Sequence, residues 1–262
     1  MTTEAPAIEL SRGRPDARGW LGAYVAMLRW EVIGSRLLYP LLLIAQVLVG
    51  AGFVIGFGLL VPDLDESAAQ YLSTGAVVMS LILVGLIVTP QLLAQQKMQG
   101  SYDYVWSMPV PRSAALLAST TMAAVVAIPG IVAALVVAVW RYDFALSVDA
   151  AVVPAFLLTL ACGSLIGSAI GHAVSKPQVT LLFTQLGIFF IIGFSPVSFS
   201  VERLPGWLAT VHQYLPLHHM AMAVRSSLTD GLVEVTLLSW VVLSLWTLVA
   251  GTITGAIIRR RR

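Results

Sequence analysis

Cysteine is nearly absent. Of 262 residues only Cys162 carries a thiol, which excludes an internal disulfide and any cysteine-cluster metal site. Charge is scarce as well: none of the fifteen Lys and Arg or thirteen Asp and Glu falls within 37–61, 71–94, 114–140, 151–174, 179–196 or 235–258. Proton- or ion-coupled carriers usually keep ionisable residues inside their spans, and here only His172, near the end of the fourth stretch, is titratable in that way. The phosphate loop G-x-x-x-x-G-K-[ST] is missing, so the chain has no recognisable cradle for ATP. Ser164 and His172 do not make a catalytic pair, because residues eight apart on one helix lie ~12 Å apart along its axis, against the ~3 Å that nucleophile and base require. No carboxylate or thiolate completes a ligand set around His212, His218 and His219, so neither a catalytic nor a metal site is expected. Residues 1–17 are polar, contain proline and lack an apolar core, which points to a disordered cytosolic tail rather than a signal peptide.

What remains is apolar length. At ~1.5 Å per helical residue, even the shortest of the six stretches crosses most of a ~30 Å hydrocarbon core. Lipid offers the backbone no hydrogen-bond partner, and the alternation of barrel strands is nowhere present, so the stretches are predicted to be helices. The expected fold is an all-α integral membrane protein, a single six-span domain over 37–258 with no separate soluble module.

Orientation follows from the basic residues, which stay on the cytosolic side. With the N-terminus inside, the inner segments hold twelve of the fifteen: Arg12, Arg14, Arg18, Arg29, Arg36, Lys97, Arg112, Lys176 and Arg259 to Arg262. Eight of thirteen acidic residues fall outside, and an even number of spans returns the basic tail 259–262 to the cytosol. The net charge of +2 gives no reason to expect a nucleic-acid partner.

Small residues one turn apart let helix backbones approach in lipid. Gly163, Gly167 and Gly171 form a double G-x-x-x-G in the fourth stretch, with Ser164, Ser168 and His172 one residue later; Gly52 with Gly56 and Gly251 with Gly255 form single copies. Packing inside the bundle is expected to account for these copies, and a contact between subunits through the first span is the sharper alternative. His172 reads as an interfacial histidine reaching for the headgroups.

Three connecting segments carry pattern. In 95–113, Gly100 breaks a helix, Ser101 caps another, Tyr102, Val105 and Trp106 share a face, and Pro109 stops it. This short amphipathic helix either floats its aromatics at the headgroups or seats in a cytosolic motor. In 197–234 two half-length stripes, Trp207–Leu208–Val211–Tyr214–Leu215 and Leu217–Met220–Ala221–Val224–Leu228, begin after Pro205 and Pro216. They form a hairpin dipping into the outer leaflet or two helices lying flat on it. Residues 18–36 align Leu21, Tyr24, Val25, Leu28 and Val32, with Arg18, Arg29 and Arg36 along one edge, as in an interfacial helix whose arginines meet lipid phosphates or an acidic partner.

From residue 18 onward the chain resembles the permeases of type-2 ATP-binding-cassette (ABC) exporters. Two motifs carry the resemblance: Lys97-Met98-Gln99-Gly100 with Met108-Pro109-Val110-Pro111-Arg112, and Ser195-Pro196-Val197 with Leu204-Pro205-Gly206-Trp207-Leu208, Leu215-Pro216-Leu217 and Val224-Arg225. The chain departs from the family at Gln95 and Gln96, where a Glu often precedes the coupling helix.

The resemblance implies a connecting helix over 18–36, a cytosolic coupling helix touching the ATPase through Lys97, Met98, Gly100, Tyr102 to Trp106 (Asp103, Tyr104 and Val105 included), Pro109 and Arg112, and an outer re-entrant hairpin that includes Pro196, Pro205, Trp207, Pro216, His218, His219 and Arg225. It further implies two permeases, as a homodimer or a heterodimer, with two ATPase subunits that bind ATP and Mg, this chain holding no cofactor and catalysing nothing itself. The pathway then lies at the permease interface, lined by Gln46, Ser73, Thr74, Thr184 and Gln185 with Phe189 and Phe190. The implied activity is export of a hydrophobic or amphipathic substrate across a bacterial cell membrane, a drug or antibiotic first, a lipid or lipid-linked polysaccharide as the alternative, and an ion-coupled carrier as the rival class.

Overall fold

The computed structural model describes residues 17–60, 65–142, 146–197, 199–233 and 237–260. The expected tail over 1–17 lies, but for residue 17, outside them, as do Asp63, Arg261 and Arg262. The described residues are helical and contain no strand.

Eleven α-helices follow in order: α1 Ala17–Gly34, α2 Leu38–Leu60, α3 Glu66–Ile82, α4 Thr89–Met98, α5 Ser101–Ser107, α6 Arg112–Tyr142, α7 Val152–Ala173, α8 Pro177–Phe194, α9 Gly206–His212, α10 Pro216–Ser226 and α11 Leu237–Arg260. A π-helical turn, Leu83–Val88, joins α3 to α4, so that Glu66–Met98 is one continuous 33-residue helix. Together with α2, α6, α7, α8 and α11 it makes six helices long and apolar enough to cross a membrane.

Local chemistry explains the boundaries. Asp65 starts α3 by accepting the Ala68 amide at 2.7 Å, an N-cap that places the helix start ahead of the apolar run. Proline opens α8 and α10 at a position whose amide needs no partner. Gly100 sits at φ 73°, a left-handed turn between α4 and α5 that a residue with a side chain adopts only at a cost. Pro109 and the extended Met108 end α5.

The second span is the hub: 67% of its most apolar window is buried within the chain, against 17% for α2 and for α8, so the latter two present apolar faces to their surroundings. Glycines set close approaches between helices, at the hub and between α6 and α2. A Cβ on Gly85, in the π turn, would lie 2.8 Å from the Gly163 carbonyl carbon of α7, and one on Gly130 of α6 would lie 2.8 Å from the Gln46 carbonyl oxygen of α2. The π turn thus widens the hub helix where α7 presses against it. Gly52 and Gly56 have open space beside them and make no such contact inside the chain.

Hydrogen bonds between helices complete the bundle. Tyr24 and Thr121 hydroxyls pair at 2.9 Å and the Trp20 indole donates to Ser113 at 2.9 Å, which ties α1 to the start of α6. Thr254 donates to the Leu165 carbonyl at 2.9 Å, joining α11 to α7.

Candidate functional site

At the α4–α5 end of the bundle, the Gly100 turn folds α5 back so that its aromatic face meets the end of α7. The Tyr102 hydroxyl and His172 Nδ1 lie 2.8 Å apart, Trp106 sets its ring edge-on to His172 at 5.0 Å, and both Tyr102 and His172 are buried. Lys97 runs alongside: its Nζ donates to the Gly171 carbonyl at 2.5 Å and to the Val174 carbonyl at 2.6 Å, and sits 4.9 Å from the Tyr102 ring centroid. These carbonyls belong to the end of α7, where the helix dipole favours a cation. The Arg112 guanidinium donates to the Ile258 carbonyl at 2.5 Å, so the segment is also fastened to α11.

The opposite face of this segment is bare. Met98, Asp103, Tyr104 and Pro109 are exposed, Gly100 supplies the turn, and Val105 is half-buried beside Trp106. The predicted face Tyr102–Val105–Trp106 therefore turns inward, Asp103 is exposed on the other side, and the exposed Tyr104 ring lies 5.5 Å from the Trp30 ring of α1. His172 corrects an expectation: it does not reach for headgroups but is 1% exposed and held by Tyr102, because the turn at Gly100 delivers a hydroxyl to it.

At the other end, Arg225 of α10 is 1% exposed. Its Nε donates to Thr74 Oγ1 at 3.0 Å, one terminal nitrogen donates to the Val197 carbonyl at 2.7 Å, and the guanidinium lies 4.1 Å from the Tyr71 ring centroid. Burial pulls its guanidinium below the ordinary arginine value, and the neighbouring Tyr71 opposes that shift. His219 bonds the Gln213 carbonyl at 2.8 Å and Ser239 at 3.2 Å, and His212 bonds the Phe194 carbonyl at 2.9 Å. His218 is pushed down to about 4, first by burial and then by the neighbouring positive charge. Pro196 and Pro216 are buried, Pro205 and Trp207 exposed. Of the two predicted stripes, Leu217, Met220, Ala221, Val224 and Leu228 are all buried, whereas Trp207, Val211 and Tyr214 face outward. A cavity of about 690 Å³ opens here between Phe57, Tyr71, Phe194, Arg203 and Trp207.

The polar residues predicted for a pathway separate into two groups. Gln46, Ser73 and Thr74 are inside the bundle, Thr74 engaged by Arg225 and the Gln46 side-chain oxygen without a partner among the described residues. Thr184 is buried and accepts from Gln91 at 3.2 Å, while Gln185, Phe189 and Phe190 lie on the open face of α8. Arg18 and Arg29 of α1 and Arg36 of the turn after it are all exposed. Sequence reasoning missed the partners of His172 and Arg225, since no periodicity links residues 70 or 151 positions apart.

Six apolar helices, an inward-tied turn helix at one end and a latched helical pair at the other define a polytopic α-helical membrane protein. The sequence pattern of the ABC-2 family transporter proteins matches residues 39–256, and the chain belongs to that family. Among curated proteins none matches the chain in sequence.

Proposed function

We propose that this permease exports a hydrophobic or amphipathic substrate, a drug or antibiotic before a lipid, on energy supplied by a separate ATPase subunit that binds ATP and Mg. Family membership supports the transport role. One observation carries the coupling: the α4–α5 segment offers Met98 of α4 and Asp103 and Tyr104 of α5 to the outside, while Lys97 of α4 and Tyr102 of α5 grip the end of α7. A push on the exposed face is thereby delivered to a membrane-crossing helix rather than absorbed by a loop. On this reading α5 is the coupling helix, α1 lies at the inner interface with its arginines at lipid phosphates, and both termini are cytosolic in a bacterial cell membrane.

The reading continues with two copies packing through the open faces of α2 and α8, where Gln185, Phe189 and Phe190 meet the pathway. The α9–α10 hairpin closes its outer end, re-entrant rather than flat, because Leu217, Met220 and Val224 are already buried against the bundle. The test is co-purification with the ATPase together with substrate-stimulated ATP hydrolysis in vesicles. Asp103→Arg with Tyr104→Ala is expected to lose both while the chain still inserts; undiminished coupling in that variant overturns the assignment.

A further inference from the structure

Helix α1 carries a carboxyl that no cationic side chain bonds among the described residues. Glu31 of α1 is half-buried, its only side-chain bond among the described residues is the Tyr39 hydroxyl donating at 2.9 Å, and burial raises its carboxyl above the usual carboxylate range. It stands at the junction of two cavities that also share Leu92 and Gln96. One is a vestibule of about 280 Å³ lined by Ser35, Arg36, Gln95, Gln96 and Gln99. The other is a crevice of about 60 Å³ that continues between Met27, Trp30, Tyr39, Trp106 and Met122. Glutamines and Arg36 thus stand at the mouth beside Ile33, Leu37 and Leu38, the depth is mainly apolar and aromatic with Thr89, Ser119, Ser168 and His172 among its lining, and a half-buried carboxyl stands at the neck.

From this juxtaposition we propose that the vestibule and crevice together form a binding site, within a single copy of the chain, for an amphipathic cation whose ammonium head rests at Glu31 and whose narrow apolar chain enters the crevice. Volume decides the ligand's shape: a drug-sized pocket holds ~300 Å³ or more, so the crevice admits a short alkyl chain and excludes a fused ring system. Charge decides its sign, since Arg36 is exposed and screened by water whereas the Glu31 carboxyl is not. Trp30, Tyr39 and Trp106 add aromatic surface around the apolar chain. The inference rests on the export reading, which it deepens by naming a substrate class and the point at which that substrate is received.

The test is titration of octyltrimethylammonium into the full-length chain in dodecyl maltoside micelles, whose neutral heads offer no rival charge. Saturable binding is expected, weakened at least tenfold in Glu31→Gln and in Leu92→Trp, which plugs the neck, and kept within a few-fold in Glu31→Asp. Octyl phosphate is expected not to compete. Equal binding by Glu31→Gln and the unaltered chain, or displacement by octyl phosphate, overturns the site. Because the ATPase takes no part in this titration, its outcome is separate from that of the coupling experiment. Failure here leaves ATP-driven export standing, and a chain that binds the cation but never couples to an ATPase removes the export reading alone.

Discussion

Tyr102 connects two segments that lie 70 positions apart in sequence through one hydroxyl, and that hydroxyl is the smallest part of the molecule whose loss has a defined effect. Removing it in Tyr102→Phe keeps the ring against His172 and Trp106 and deletes a bond with a net value of about 1 kcal/mol. Folding survives such a loss. Transport and substrate-stimulated ATP hydrolysis are expected to fall together while ATPase association, which the proposed coupling role assigns to the outward face, stays near normal; equal coupling in the variant would show that the latch is only structural. Arg225 provides the outer counterpart. A charged donor makes its hydrogen bonds worth about 1.5–3 kcal/mol, so Thr74→Val is expected to lower resistance to thermal unfolding by an amount of that order. His218 adds a pH term. Its folded value of about 4 lies below the ordinary 6.5, so the folded chain binds fewer protons than the unfolded one between those values. Its contribution to stability is complete above 6.5 and is lost progressively as pH falls from there toward 4. His218→Gln is expected to flatten that part of the unfolding-midpoint profile, and an unchanged slope would assign it to another group.

At the scale of elements, two backbone features govern how helices meet. The left-handed Gly100 sets the angle between α4 and α5, and without it the aromatic face of α5 cannot turn to α7. Gly100→Ala is expected to cost about 1 kcal/mol, the penalty an L side chain meets in that conformation. The π turn at Leu83–Val88 brings Gly85 against Gly163, where no room for a methyl exists. Gly85→Val is expected to lose roughly 1–3 kcal/mol by overpacking, read from thermal denaturation in detergent, whereas Gly52→Val, facing open space, is expected to leave the isolated chain unchanged. That contrast separates the two uses of the small-residue spacing: the copy in α7 packs inside the bundle as expected, and the copy in α2, against that expectation, has no close neighbour among the described residues.

The whole molecule is lopsided. Its hub is buried on nearly all sides, and α2 and α8 expose Leu48, Ile55, Leu186, Phe189 and other large apolar side chains. For a pair of permeases meeting there, Phe189→Cys in a Cys162→Ala chain is expected to yield an oxidant-dependent dimer in membranes, and a cysteine at Val136 on the outer face of α6 is expected to yield none. A reversed pattern would move the interface to α6.

Much of this architecture was readable from residues alone. Six spans, an all-helical fold, the break at Gly100 and the short helix after it are local properties. Transfer into lipid is summed residue by residue, and glycine and proline act on their own backbone. What residues alone left open is which side of each helix meets which neighbour. Rotation about a helix axis barely changes its hydrophobicity when every face is apolar, so composition could neither place Thr74 under Arg225 nor remove His172 from the headgroups to the Tyr102 hydroxyl. Those pairings, and the gathering of Glu31, Gln96 and Trp106 around one cavity, were decided by steric fit between distant segments, which only the folded chain expresses.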